Sequence, residues 1–331
     1  MHPYASLTPD VVLDALSSIG LEGDGRLLSL NSYENRVYLI YLEEPFEGNA
    51  QVVAKFYRPE RWSREQILEE HSFADEIALA EVPIVPPLRI KDATLHDHAG
   101  FMFSVSPRCG GRTPELESAS VLQWIGRFMG RLHTVGKQAK FVSRPALNIE
   151  NFGAEPRQFL LNSGMVPPEL LASWKAIVDQ ALEAVQQGFH HAGKVTNLRL
   201  HGDCHPGNIL WTEARGNQAS PAGPHFVDLD DARTGPAIQD LWMLLSGDPA
   251  EMRGQLNEVL KGYEDFADFD DREIALIEPL RTLRLIHYSA WVARRWDDPA
   301  FPAAFPWFNT QRYWQDRILE LREQVGLMQE G

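Results

Sequence analysis

Residues 201–208, HGDCHPGN, gather two histidines, an aspartate, a cysteine and an asparagine within eight positions. Their types suit more than one chemistry. His201, Asp203, Cys204 and His205 are all capable of holding a metal, but the helix-borne H-E-x-x-H spacing of a zinc hydrolase is absent. Cys204 could act as a nucleophile only with a base facing it and an activated thiolate. A neighbouring His205 in sequence guarantees neither. A histidine-rich turn held by backbone hydrogen bonds is the plain structural alternative.

A third chemistry finds support elsewhere in the chain. Asp203 and Asn208 are separated by four residues, the D-x-x-x-x-N spacing of phosphoryl-transfer catalytic loops. Such a reaction needs a carboxylate beside the attacking hydroxyl and an oxygen ligand for Mg²⁺ close by. A tight loop containing Pro206 and Gly207 can place both around one γ-phosphate. Twenty residues beyond Asn208, after a hairpin with the loop EARGNQASPAG, comes FVDLDDA, a buried strand ending in aspartates. Asp228 directly follows Phe226-Val227 and is the expected second Mg²⁺ ligand. Asp230 and Asp231 are assigned to structure or local charge.

The elements that must position these groups are legible upstream. VVAKF places Lys55 inside an apolar strand, as in the V-A-I-K strand whose lysine grips the α- and β-phosphates. An exposed edge position is the alternative reading of such a lysine. Ser63-Arg-Glu-Gln66 reads as a capping box that starts a helix. On that helix Glu70 can pair with Lys55, with Glu69 as competitor. LNSYENRVY joins the first two strands where a glycine-rich phosphate loop would lie, yet it contains no glycine. Ser32, Tyr33 and Asn35 must then supply the turn and the phosphate contacts. Each signal alone is weak; their order along the chain makes the set specific.

Patterning divides the chain in two. Thr8-Pro9 opens a short helix, and RLLSL, RVYLIYL, QVVAKFY, PPLRI and GFMFSVS read as strands around the capped helix. Beyond the connector PRCGG, helices are expected at 120–136, 168–190, 237–246, 250–267, 271–297 and 310–325. NLRLH, NILWT and HFVDL are short strands among them. The expected fold is therefore α+β, with an antiparallel-sheet N-terminal lobe (1–106) carrying one main helix. A mostly helical C-terminal lobe (107–331) follows, and a cleft lies between them.

Composition narrows the partners. With 331 residues, 44% hydrophobic and 23% charged, the chain is long enough for a substantial core. Its net charge of −15 argues against a nucleic-acid backbone as partner. No apolar run is long enough to span a bilayer, and the N-terminal MHPYASLTPD lacks the basic and apolar regions of a secretory signal. Only two cysteines are present, Cys109 and Cys204, which suits a reducing cytoplasm. The tryptophans, including Trp242, Trp291 and Trp296, are read as helical core. Arg281, Arg284, Arg294 and Arg295 are read as partners of acidic neighbours, with one of them able to line an acceptor site.

LHGDCHPGNILW together with FVDLDDA resembles the aminoglycoside phosphotransferase and choline kinase group of the protein-kinase-like fold. There H-G-D replaces H-R-D and an h-D-h-D strand replaces D-F-G. LNSYENRVY, KFYRPERW, QILEEH, GPAIQDLWML and DPAFPAAFPW resemble, more narrowly, the stress response kinase A family of bacterial serine/threonine protein kinases.

The resemblance implies a two-lobed kinase fold with a hinge at about 104–111, Ser104 to Gly110 running along the adenine. It implies ATP and Mg²⁺ as cofactors. Asp203 becomes the catalytic base. Asn208 and Asp228 become Mg²⁺ ligands, Asp228 counting also in the catalytic set. Ser32 would lie against ATP, Lys55 would hold its phosphates, and Glu70 would hold Lys55. His201 would brace the loop, while His205 either approaches the γ-phosphate or caps the loop. The implied activity is transfer of the ATP γ-phosphate to serine or threonine of a protein, itself included, in a bacterial stress response. A monomer is expected. Because any alcohol attacks in the same way, the motif chemistry leaves open a small-molecule kinase acting on an amino-alcohol or sugar. A nucleotide-dependent binding protein has no need of Asp203. One departure is a loop between Asn208 and Asp228 that is long for the family.

Overall fold

The computed structural model describes residues 2–30, 32–213 and 222–330. The hairpin loop expected after Glu213 falls at 214–221, outside the described residues.

Strand alternation builds the N-terminal sheet. In β3 (Asn49–Phe56) Val52, Ala54 and Phe56 are buried on one face, and Lys55 projects from the other. β1 (Gly23–Ser29), β2 (Arg36–Phe46), β3, β4 (His96–His98) and β5 (Phe101–Pro107) form one antiparallel sheet in the order β1-β2-β3-β5-β4. Lys55 pairs in register with Val37 on one side and Ser104 on the other, so it occupies a central strand. The edge reading is thereby excluded. α1 (Pro9–Ile19) lays Val12 and Leu16 against Ile40, Val52, Ala54 and Phe56. Thr8 caps this helix by accepting from Val11 N, and Pro9 stands in its first turn.

The Lys55 face is covered by α2 (Arg64–Leu79), whose start is the expected capping box of Ser63 with Gln66. Its His71 meets the Tyr57 hydroxyl at 2.8 Å. PPLRI, expected as a strand, is not one. Pro86 and Pro87 have no N–H to give a ladder, and only Leu88 N reaches β5, at Val105 O.

The remainder is mostly helical: α3 (Ala119–Gln138), α4 (Glu155–Ser163), α5 (Pro168–Ala192), α6 (Ile238–Trp242), α7 (Pro249–Tyr263), α8 (Ile277–Ala293), α9 (Ala300–Ala304) and α10 (Gln311–Glu330). α3 and α7 approach so closely that a Cβ on Gly126 would lie 2.0 Å from Val259 O. The helix expected from residue 271 becomes a 3₁₀ turn over Asp271–Leu276 before α8. Pro279 sets that start, since it lacks the N–H with which a longer helix would bond four residues back. Two short hairpin-like pairs interrupt the helices: β6 (Asn197–Leu200) with β9 (Arg233–Pro236), and β7 (Ile209–Thr212) with β8 (Gly223–Phe226). These two pairs carry the motif residues. Among the described residues no helix is long and apolar enough to cross a membrane.

Candidate active site

The motif loop is fastened at its first two residues. β6 ends at Leu200, and the N–H groups of His201 and Gly202 both donate, at 2.8 Å, to the carboxylate of Asp240 on α6. Gly202 has φ +86°, and a Cβ there would lie 2.1 Å from Asp231 O, so only glycine fits. His201 donates from Nε2 to Val227 O at 3.0 Å. It braces the loop, as the resemblance implied.

Past Asp203 the chain makes a 3₁₀ turn at Pro206–Asn208. His205 Nδ1 accepts from Gly207 N at 3.0 Å, while its Nε2 lies 3.6 Å from Asp203 Oδ2. The cap is therefore formed, with the other ring nitrogen facing the carboxylate. Burial holds the His205 imidazole below its ordinary pKa, with Asp203 opposing. Asn208 Nδ2 donates to Asp203 O at 2.9 Å, which leaves its Oδ1 without a protein partner among the described residues. Val227 N donates to Asn208 O, joining the loop to the chain that delivers Asp228.

β8 stops at Phe226, two residues short of Asp228, which adopts a left-handed conformation (φ 63°, ψ 67°). This conformation is uncommon for a non-glycine residue and marks a constrained site. It lifts the Asp228 side chain, 49% exposed, out of the buried run. Asp230 stays inside at 4%.

Lys55 bridges the two halves of the molecule. Its Nζ lies 2.9 Å from Asp228 Oδ1 and 3.3 Å from Asp230 Oδ1. Burial alone would depress this ammonium, but Asp228 and Asp230 outweigh it and hold it well above its ordinary pKa. It is a fixed cation at any physiological pH.

The expected Lys55–Glu70 ion pair is not formed. Asp228 and Asp230 take the places at Nζ, and Glu70 Oε2 lies 3.6 Å from Arg144 Nη1. Glu70 remains an electrostatic neighbour of Lys55, and burial raises its carboxyl to about 7. Glu69, its competitor, accepts instead from the backbone N–H groups of Val142, Ser143 and Arg144.

The turn between β1 and β2 departs further from expectation. Ser32 is half-buried at its start. Tyr33 packs edge-on against Phe305, and Asn35 Oδ1 accepts from Arg58 N, contacts that fix the turn from outside. Glu34 is bound by Arg295 and by the Trp291 indole N–H.

Two early readings of the motif fall away. Cys204 is fully buried against Met129, and burial raises its thiol far from the reactive range, so it is no nucleophile. Among the described residues no cluster of three His, Cys, Asp or Glu could hold a metal. The Asn208 and Asp228 oxygens instead suit a hard cation that fills its shell with water and phosphate oxygens.

One supporting residue, Asp240, escapes the sequence reading; Asp230 is read there only as structure or local charge, and Arg284 as one of four arginines with acidic neighbours. Asp240 anchors the loop; its signal was a charge within the apolar run AIQDLWML. Asp230 contacts both Lys55 and Arg61. Arg284 on α8 donates from Nη1 to Asp203 Oδ1 at 2.6 Å. Of the four arginines assigned to acidic neighbours, Arg281 pairs with Glu278 on its own helix, Arg295 with Glu34, and Arg294 lies over the Phe159 ring.

Stress response kinase A of Escherichia coli (strain K12) is 45% identical over 327 residues, covering 99% of this chain and 95% of that protein. Serine/threonine protein kinase RdoA of Salmonella typhimurium (strain LT2) is 44% identical over the same length and shares. Among solved structures, the microcompartment-associated aminopropanol kinase superposes with a TM-score of 0.70 at 17% identity, covering 97% of both chains. An amicoumacin kinase, hAmiN, gives 0.69 at 19% identity over 94% of this chain and 93% of its own. Both show the shared fold. The profile of the phosphotransferase enzyme family matches residues 26–277, and the chain, a kinase in fold and motif, belongs to that family.

Proposed function

We propose that this phosphotransferase transfers the γ-phosphate of ATP to serine or threonine hydroxyls of a protein, with Mg²⁺ as cofactor. The observation that carries the reading is the contact of Lys55 with Asp228, whose neighbour Val227 donates from its N–H to Asn208 O of the motif loop. ATP use is supported by hAmiN, whose complex holds AMP-PNP. The protein acceptor is supported by the serine/threonine kinase name of the Salmonella relative.

In this reading the chain divides at about residue 106, with the hinge at 104–111, and the nucleotide lies between the two parts. Lys55 holds the α- and β-phosphates, and Ser32 lies at the covering turn. Asn208 Oδ1 and Asp228 would hold Mg²⁺, which would offset the negative charge of the phosphates. Asp203 orients the acceptor hydroxyl and takes its proton as the new O–P bond forms. Glu70 contributes negative field behind Lys55 rather than a direct contact. Catalysis rests on alignment and charge neutralisation.

Incubation with labelled ATP and Mg²⁺, alone and with cell extract, tests the proposal once protein is separated from small molecules. Label in protein at serine or threonine supports it. Label only in an amino-alcohol or sugar assigns a small-molecule acceptor instead. Chelation should abolish transfer and Mg²⁺ restore it; recovery with Zn²⁺ alone would count against the metal assignment.

A further inference from the structure

The loop from His201 to Asn208 contains no arginine or lysine, so a cation beside the base must come from another element. α8 supplies one. Arg284 Nη1 lies 2.6 Å from Asp203 Oδ1, a contact across 81 positions of sequence. The pair is only partly solvated, with side-chain exposures of 36% for Arg284 and 24% for Asp203. Apart from a long contact of Nη1 with Met243 Sδ, the guanidinium has no other protein acceptor among the described residues. Nothing besides the Asp203 carboxylate, then, accounts for its orientation.

The two oxygens of Asp203 are consequently unequal. Oδ1 is occupied by Arg284, whereas Oδ2 has, among the described residues, only His205 Nε2 near it, at 3.6 Å. We propose that Arg284 is the positioning residue of the transfer step, fixing the Asp203 carboxylate through Oδ1 and leaving Oδ2 as the oxygen that receives the acceptor's proton. This rests on the kinase reading above. In the step, the acceptor oxygen forms a bond to the γ-phosphorus and the bond from that phosphorus to the bridging oxygen breaks. ADP departs, and the hydroxyl proton passes to Oδ2. Arg284 neither gains nor loses a proton. Its contribution is to prevent the carboxylate from rotating, and misplacement of a reacting group by about 1 Å lowers rates by about 10²-fold.

A double-mutant cycle with labelled ATP tests the assignment. Arg284→Gln should lower kcat by about 10²-fold with little change in ATP affinity, read by calorimetric titration. Arg284→Lys, which can still donate to Oδ1, should recover part of the loss. In an Asp203→Asn background, Arg284→Gln should cost little further activity, because a residue acting through Asp203 has nothing left to position. A merely structural arginine would give the same loss in both backgrounds, and that result overturns the proposal. So does unchanged kcat in Arg284→Gln, or a loss confined to ATP affinity. If Arg284→Gln melts at a lower temperature, the comparison is made with Arg284→Lys, whose full inactivity in a folded protein would equally count against it. Absence of any ATP-dependent transfer by the unaltered protein would sink the function itself; normal transfer with an indifferent Arg284 sinks this inference alone.

Discussion

Asp298 accepts two hydrogen bonds from Arg36 Nη2, at 3.0 and 3.1 Å, across 262 positions of sequence. Arg58 Nη1 adds a third at 3.0 Å. These contacts tie the first residue of β2 and the end of the Lys55 strand to the segment between α8 and α9. Glu34, held by Arg295 and Trp291, makes a parallel link one turn away. A glycine-rich phosphate loop gains its close approach from backbone freedom. Here a glycine-free turn is held in place from outside by ion pairs to the helical part. Its shape is set by tertiary contacts and not by local sequence.

Asp298→Ala should therefore be costly although the residue lies far from Asp203 in sequence. Its side chain is only 1% exposed, and removal leaves Arg36 and Arg58 half-buried without their shared partner. A loss of about 3–5 kcal/mol is expected, the usual size when one member of a buried pair is deleted. Denaturant unfolding measures it. A loss below 1 kcal/mol would show that the two arginines find water or other acceptors.

Lys55→Ala removes the cation between the sheet and the aspartates. Turnover should fall by about 10²–10³-fold, as for loss of one preorganised charge donor. Asp230 keeps Arg61 as a partner, so the fold should survive, as circular dichroism can verify. Unchanged activity in a folded Lys55→Ala protein would remove the lysine from the site.

Much of this arrangement was readable in the chain, and the failures have physical causes. The Ser63–Gln66 box, the Asp203–Asn208 spacing and the alternation around Lys55 are local patterns, and local patterns translate directly into helix starts, loops and strand faces. The expected Lys55–Glu70 contact is not made because the competition for Lys55 is decided by Asp228 and Asp230, more than 170 residues away. The contacts of Tyr33 with Phe305 and of Asn35 with Arg58 are likewise long-range and invisible in the local sequence. β9 was missed because RTGP lacks a strand's branched and aromatic residues; it is a strand only because β6 lies beside it.

Glu70 gives a pH-dependent signature. Burial raises its carboxyl from an ordinary 4.5 to about 7, against the opposing pull of Lys55 and Arg144. Between those values the native state binds the proton more tightly than the unfolded chain. This group's contribution therefore falls as pH rises from about 4.5 to about 7. Glu70→Gln keeps the shape without the charge. The variant should match the parent near pH 4.5 and exceed its stability at pH 8 by roughly 1–3 kcal/mol. Urea melts at the two pH values measure this. Equal differences at both would mean that Glu70 stays ionised throughout, held by its cations.

The two aspartates of the motif should separate by experiment, because the geometry gives them different neighbours. Asp203 faces Arg284 and His205; Asp228 faces Lys55. Asp203→Asn preserves shape and removes the charged base, so transfer should fall by roughly 10²–10⁴-fold, the range for a lost general base. Nucleotide binding should persist, since Asp203 has no part in holding phosphates. Asp228→Asn replaces a charged oxygen donor to a hard cation with a neutral amide, and it also removes the charge paired with Lys55. Transfer should collapse again, but here Mg²⁺-dependent ATP affinity should fall with it. Calorimetric titration of ATP into both folded variants, with and without Mg²⁺, resolves the two roles. Loss of metal-dependent binding in Asp203→Asn, with its retention in Asp228→Asn, would reverse the assignment and place the metal on the other side of the loop.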